Sequence, residues 1–171
     1  ASNEHIGKIW NVAKNLGGSL SEYTVWLLER SMKTLAIRVK AHNKNAKKIA
    51  KWLHQHPLVN QVYYPGLKTH PNYKLAKKQM KGCTGMLSFE LNESVNSDVF
   101  LKSLTLIKPS MSLAGVESTI LAPSKTSHAL LGEEERKNQG ISEGLLRLSV
   151  GIEDTKDLLL DLEKAFEMSN I

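Results

Sequence analysis

The sequence predicts an α+β domain, a small and mostly antiparallel sheet of about four short strands with helices packed on one of its faces. Three observations carry that reading. Short apolar or alternating runs are separated by stretches with apolar residues at three- and four-residue spacing, which is the signature of strands and helices taking turns. The clearest run, Met86-Leu87-Ser88-Phe89-Glu90-Leu91, places Leu87, Phe89 and Leu91 on one face and Met86, Ser88 and Glu90 on the other, so one face of the sheet needs cover. Finally, Gly144–Phe166 reads as a strand, Leu145–Val150, that breaks at Gly151 and enters a helix capped by Asp154, with Leu158, Leu162, Ala165 and Phe166 turned to the core.

The remaining elements follow in order. Ile6 to Leu16 is weakly helical and stops at Gly17-Gly18, so residues 1–20 read as a connecting segment and 21–171 as the domain proper. Ser21 caps the next helix. Val25, Leu28, Met32, Leu35, Val39, His42, Ala46, Ile49 and Leu53 keep helical spacing almost to Pro57, which predicts one long helix, kinked near Ser31. Val59–Tyr64 is a strand ending in Pro65-Gly66, and Asn72–Met80 is a short basic helix. Ser94 caps a helix to Leu104 with Val95, Val99, Phe100 and Leu104 inward, and Thr105–Ile107 makes a third short strand. From Ser110 to Gly140 regular patterning fails apart from one exposed helical turn at Glu133–Arg136. A long irregular stretch inside a compact domain is usually functional or mobile.

Composition excludes several classes. The 171 residues and 41% hydrophobic content suit one domain with a core, and no apolar run approaches the ~18 residues of a membrane-spanning helix. The first residues lack the order of a signal peptide. The lone Cys83 rules out an internal disulfide framework and fits a reducing compartment, most simply the cytoplasm. His42, His54 and His56 have no metal-ligand company.

The net charge of +6 hides a division. Arg30–Phe89 holds thirteen basic residues and no acid, which leaves ten basic and seventeen acidic residues, a net −7, for the rest. Lys40, Lys44, Lys47 and Lys51 fall on one helical face as a solvated stripe. The basic part has no interleaved exposed aromatics, zinc signature or recognition helix, so nucleic acid is not the expected partner. A non-catalytic interaction module whose basic surface meets an acidic partner is the alternative reading of this segment.

One residue stands out chemically. Arg147 lies in the middle of the apolar run Leu145–Val150, and a guanidinium there is never deprotonated and carries five donors in a planar fork. Leaving it unpaired away from water would cost several kcal/mol, so an anion should meet it. That anion is either a protein carboxylate or the carboxylate or phosphate of a ligand held bidentately.

Specific motifs bear on that choice. SLAGVES at Ser112–Ser118, SKTSHA at Ser124–Ala129, EEER at Glu133–Arg136, GIS at Gly140–Ser142 and LLRLSVGIED at Leu145–Asp154 resemble the C-terminal domain of the Cys/Met-metabolism enzymes that depend on pyridoxal phosphate, the family of cystathionine γ-synthase, cystathionine lyases and methionine γ-lyase. The likeness runs back through GMLSFEL at Gly85 and HPNYKLAKKQM at His70 to WLLERSMKTLAIRVKAHNKNA at Trp26, covering nearly the whole chain.

The resemblance implies that Arg147 binds the α-carboxylate of an amino-acid substrate, with Ser112, Met111 and Ser127 also at the substrate site. Ser112 matches the serine of the family's Ser-Leu-Gly-Gly motif, and Ser127 stands where threonine is usual near the substrate entrance. Ala114 replaces the first glycine of that pair, which should stiffen the loop, and Lys125 replaces a small polar residue. The apolar Met111, at a position acidic in several γ-acting members, points towards a lyase.

The implied reaction is β- or γ-elimination, or γ-replacement, on a sulfur amino acid, with pyridoxal phosphate as the cofactor of the full-length enzyme. The family's Schiff-base lysine lies in a Ser-x-Thr-Lys segment that these 171 residues do not contain. No catalytic residue and no bound cofactor are therefore expected of the chain alone. Its expected partners are the cofactor-binding domain and further copies in a homo-oligomer, a tetramer in the family, with neither nucleic acid nor membrane.

Overall fold

The structure is a computed structural model that describes residues 2–170. The described chain divides into two units, one up to Ala36 and one from Ile37 on. In the first, α1 spans Asn3–Leu16 and α2 spans Glu22–Met32, each opened by a serine at its N-cap. Ser2 Oγ accepts the amide N–H of His5 and Ser21 Oγ that of Thr24, each satisfying one of the amide donors left over at a helix start. Neither helix buries a residue.

The predicted single long helix is two. Lys33 and Thr34 form a turn after α2, and α3 begins at Leu35 and runs to Gln55. The apolar spacing passes through that break unbroken, and the kink expected near Ser31 falls two residues before it. Tertiary burial begins only in the C-terminal half of α3, where Asn45, Ala46, Ile49, Ala50 and Leu53 are buried, while Val25, Leu28, Met32, Leu35 and Val39 are exposed.

From α3 onward the elements are β1 (Val59–Tyr63), α4 (Tyr73–Gln79), β2 (Met86–Leu91), α5 (Ser97–Ser103), β3 (Lys108–Pro109), β4 (Thr119–Leu121), one 3-10 turn (Pro123–Lys125), α6 (Glu133–Asn138), β5 (Leu145–Ser149) and α7 (Thr155–Ser169). The five strands form one sheet in the order β1-β2-β5-β4-β3. All neighbours are antiparallel except β3 and β4. The α+β reading with a mostly antiparallel sheet holds.

Alternation works as expected. Leu87, Phe89 and Leu91 of β2 and Leu146 and Leu148 of β5 face one side, where they join Ile49 and Leu53 of α3, Phe100 of α5 and Leu158, Leu162 and Phe166 of α7 in one core. Phe166 is the hub of the aromatic packing, with ring centres 4.7 Å from Phe100, 6.0 Å from Trp52 and 4.0 Å from His56. Val99, expected inward, is exposed, while Phe100 and Leu104 are buried as expected, and α5 starts later than predicted, at Ser97. Asn96 rather than Ser94 caps α5, its Oδ1 accepting from the amides of Asp98 and Val99.

The third strand also sits elsewhere. Thr105–Ile107 is not extended sheet, because the backbone there turns its N–H groups onto a buried carboxylate. Asp161 of α7 accepts from the amides of Thr105, Leu106 and Ile107 at 2.8, 3.0 and 2.9 Å and from the Thr105 hydroxyl at 2.7 Å. Strand β3 begins only after these bonds are made, at Lys108. The segment read as irregular contains β4, whose three residues are all buried, and α6.

Candidate functional site

Arg147 lies on β5, the third of the five strands, opposite Ser88 of β2 on one side and Leu121 of β4 on the other. Its neighbours Leu146 and Leu148 point into the core, so strand alternation turns Arg147 to the face away from it.

The loop between β3 and β4 folds over that face and is pinned from the sheet. Arg147 Nη2 donates to the Met111 carbonyl at 3.1 Å, Thr119 Oγ1 donates to the Ser112 carbonyl at 2.7 Å, and Ser149 Oγ accepts the Ala114 amide at 2.9 Å. Ser149 and Thr119 are directly opposite one another across β5 and β4. Two strands therefore present a row of hydrogen-bonding groups, Arg147, Ser149 and Thr119, to consecutive stations of one loop. Sequence reasoning missed Thr119 and Ser149. The available signal was Ser149 two residues from Arg147, which strand alternation places on the same face.

Ala114 has φ of +61°, the one left-handed residue other than glycine among those described. A Cβ is disfavoured there, which explains physically why the resembling motif carries glycine at this station.

The turn that follows β5 is held from below by a buried polar cluster. Asn45 of α3 donates through Nδ2 to the carbonyls of Gly151 and Glu153, and its Oδ1 accepts from the Thr155 hydroxyl. His42 Nδ1 meets the Val150 carbonyl at 2.7 Å, a satisfied structural histidine rather than a ligand. Glu153 takes both the Ser118 amide and the Ser118 hydroxyl, and Ser118 Oγ accepts the Gly151 amide. A Cβ on Gly151 would collide with the Val116 carbonyl and the Glu153 carboxylate, so only glycine fits where the loop and turn meet. The Val-Gly-Ile-Glu-Asp part of the motif is thus scaffold for Arg147.

The guanidinium itself is incompletely partnered. It is half-buried, makes no salt bridge among the described residues, and leaves Nε buried with no acceptor. Of the two partners that the sequence leaves open, no protein carboxylate meets it here. A buried cationic donor with free fork positions is the arrangement a ligand carboxylate would complete.

The other predicted residues divide. Met111 and Ser112 are on the pinned loop, with the Met111 side chain exposed. Ser127 is exposed, its hydroxyl 2.8 Å from His128 Nδ1, and no hydrogen bond joins it to Arg147, Met111 or Ser112. Lys125 is drawn to Asp98 at 2.6 Å, and this contact holds the Asp98 carboxyl below its usual range. No group of three or more metal-ligating side chains is found among the described residues, and no helix there is long and apolar enough to cross a membrane.

The family model for Cys/Met metabolism PLP-dependent enzymes matches residues 1–167. The cystathionine beta-lyase of Lactococcus lactis subsp. cremoris (strain MG1363) is 43% identical over 166 residues, covering 97% of this chain and 44% of the relative. The cystathionine gamma-lyase of Bacillus subtilis (strain 168) is 44% identical over 167 residues, covering 98% and 44%. The crystal structure of cystathionine gamma-lyase from Lactobacillus plantarum, complexed with L-serine, superposes with a TM-score of 0.92 at 40% identity, over 98% of this chain and 44% of that one. The chain spans less than half the length of the relatives it matches. With a family model matched over almost its entire length, the chain belongs to the Cys/Met-metabolism family of pyridoxal-phosphate-dependent enzymes.

Proposed function

We propose that this chain is the C-terminal small domain of a pyridoxal-phosphate enzyme that carries out β- or γ-elimination, or γ-replacement, on sulfur amino acids, and that it supplies the clamp for the substrate carboxylate. The observation that carries the reading is Arg147. It is half-buried on the middle strand, with one N–H on the Met111 carbonyl and Nε without an acceptor. A planar carboxylate offers two oxygens to such a fork, and bidentate pairing fixes the amino acid's orientation as well as its affinity. Met111 and Ser112 border the clamp through the pinned loop, and Ser127 belongs to the entrance.

The residues present fit the amino-acid end of such a site and not the cofactor. Arg147 has no amine or carboxylate hydrogen-bonded to it, and the Ser-x-Thr-Lys segment is missing from the sequence. The cofactor, when bound, supplies the electron sink for carbanion chemistry. That half of the site lies in the remainder of a longer enzyme, which assembles as a homo-oligomer, and the chain alone neither binds pyridoxal phosphate stoichiometrically nor turns over substrate. The apolar Met111 beside the clamp favours elimination over replacement.

The test grafts this chain in place of the corresponding region of the Bacillus subtilis cystathionine gamma-lyase and measures steady-state kinetics on cystathionine. Arg147→Ala should lower kcat/KM by roughly 100-fold or more, the loss of about 3 kcal/mol from a charged bidentate contact, with Arg147→Lys restoring only part. Unchanged kcat/KM in the alanine variant refutes the clamp. A visible absorbance band at one equivalent of cofactor on the chain alone refutes its dependence on the missing half.

A further inference from the structure

The lysine-rich, acid-free stretch of the sequence is not used by the Arg147 face, and it surrounds a cavity of its own. Asn43, Lys44 and Lys47 of α3, Tyr64 after β1, Lys77 of α4 and Cys83 border a space of 380 Å3. Ligand pockets run from roughly 300 to 1,000 Å3, so the space suits a small molecule. It shares no residue with the loop around Arg147.

We propose that this cavity binds a small organic anion with an apolar body and a hydroxyl or amine donor. Three features specify that chemistry. Lys44, Lys47, Lys77 and Lys81 are exposed, none is in an ion pair among the described residues, and the lining carries no acid to neutralise them. Such a one-signed rim around a concave wall concentrates anions. Beneath the rim the wall is apolar, formed by the Tyr64 and Tyr73 rings, Pro65, Ala76 and Met80. Asn43 Oδ1 is buried without a hydrogen-bond donor, and rotation of this lining amide toward the cavity would let a ligand hydroxyl or amine satisfy it.

The floor is closely packed at two glycines. A Cβ on Gly66 would stand 2.5 Å from Tyr64 Cε1 and 2.9 Å from Cys83 Sγ, and one on Gly82 would stand 2.8 Å from Asn43 Nδ2. Both glycines therefore let side chains of the wall close onto the backbone. Tyr64 donates its hydroxyl to the Thr84 carbonyl at 3.3 Å, and burial pushes its pKa up to about 12, so it adds no negative charge that would oppose an anion.

Cys83, the single cysteine of the chain, lines the cavity and reports on it. The native 171-residue chain is alkylated with iodoacetate or iodoacetamide and followed by intact mass, with glutathione as the free-thiol reference. The ratio of iodoacetate to iodoacetamide rates should exceed that of glutathione by about 3- to 10-fold at low ionic strength and approach it near 1 M NaCl, where screening is complete within a few ångströms. Lys77→Glu/Lys81→Glu should abolish the excess. Lys77→Gln/Lys81→Gln, checked for fold by circular dichroism, should halve it or more if the reversed charges prevent folding. In the same assay 4-hydroxybenzoate should protect Cys83 from iodoacetamide at lower concentration than benzoate or phenol, which lack the donor and the charge respectively. A ratio equal to that of glutathione at all salt concentrations, equal protection by phenol or benzoate, or a Cys83 that neither reagent reaches overturns the proposal.

Discussion

The two units of the chain make opposite use of the same helical periodicity. Up to Ala36, α1 and α2 are regular, capped and amphipathic, yet Ile6, Ile9, Trp10, Val12, Leu16, Tyr23, Trp26 and Leu28 are all largely exposed. From Ile37 on, apolar spacing of the same kind buries Ala46, Ile49, Ala50 and Leu53 in the C-terminal half of α3 and Leu158, Leu162, Ala165 and Phe166 of α7 in the core. Periodicity and caps thus suffice to specify helices, while burial requires a partner surface to be present. Isolated helices of this length are marginal in water, so the order of the second unit comes from packing.

The largest expected contrast between the units is energetic. Phe166→Ala, which removes a ring packed on Trp52, His56 and Phe100, should destabilise the chain by about 3–5 kcal/mol in urea unfolding. Trp26→Ala, at a site 54% exposed, should change it by less than about 0.5 kcal/mol. Equal costs would mean that the first unit is packed in solution, and the contrast would fail.

A polar version of the contrast is set by Asp161. Its carboxylate is buried and ties α7 to the chain before β3, and Asp161→Ala should cost about 2–4 kcal/mol, since three backbone amides lose their acceptor. Burial pushes the Asp161 carboxyl up, but the bonds from Ile107, Thr105 and Leu106 together hold it below its ordinary value. With the folded-state pKa depressed, the stabilisation is present above the unfolded value of about 4 and is lost as pH falls through the folded value. Unfolding midpoints should therefore drop more steeply below pH 4 in the native sequence than in Asp161→Asn. Parallel curves would remove Asp161 from the account of acid stability.

The smallest effect concerns the pinned loop. Ala114→Gly relieves a left-handed alanine and should stabilise the fold by about 0.5–1 kcal/mol, offset in part by the freer unfolded chain. Thermal unfolding of the pair decides it, and a destabilised glycine variant would show that alanine is accommodated there without strain.

Much of this architecture is legible in the residues, unevenly so. The two faces of β2 follow from its strict alternation, and Asp154 is the cap of α7 as its position before an apolar-periodic run implies. The break at Lys33-Thr34 is legible only as a kink near Ser31, because the apolar spacing continues through it. Strand β4 is hidden for a different reason. Thr119–Leu121 is too short for periodicity to register, and it is a strand only because β5 and β3 supply partners on both sides. Asp161 reads locally as a favourable charge in a helix, whereas its acceptor role depends on a segment more than fifty residues away.

For Arg147, the sequence by itself determines that a cation stands in an apolar strand, and from this comes the expectation of an anionic partner, since charge and strand period are local properties. It also carries a motif specific enough to show the family. Which face the guanidinium takes, that Thr119 and Ser149 brace the loop beside it, and that Nε is left without an acceptor were decided only in three dimensions. Those facts depend on strand order and register, through which residues 35 and 36 positions apart become neighbours.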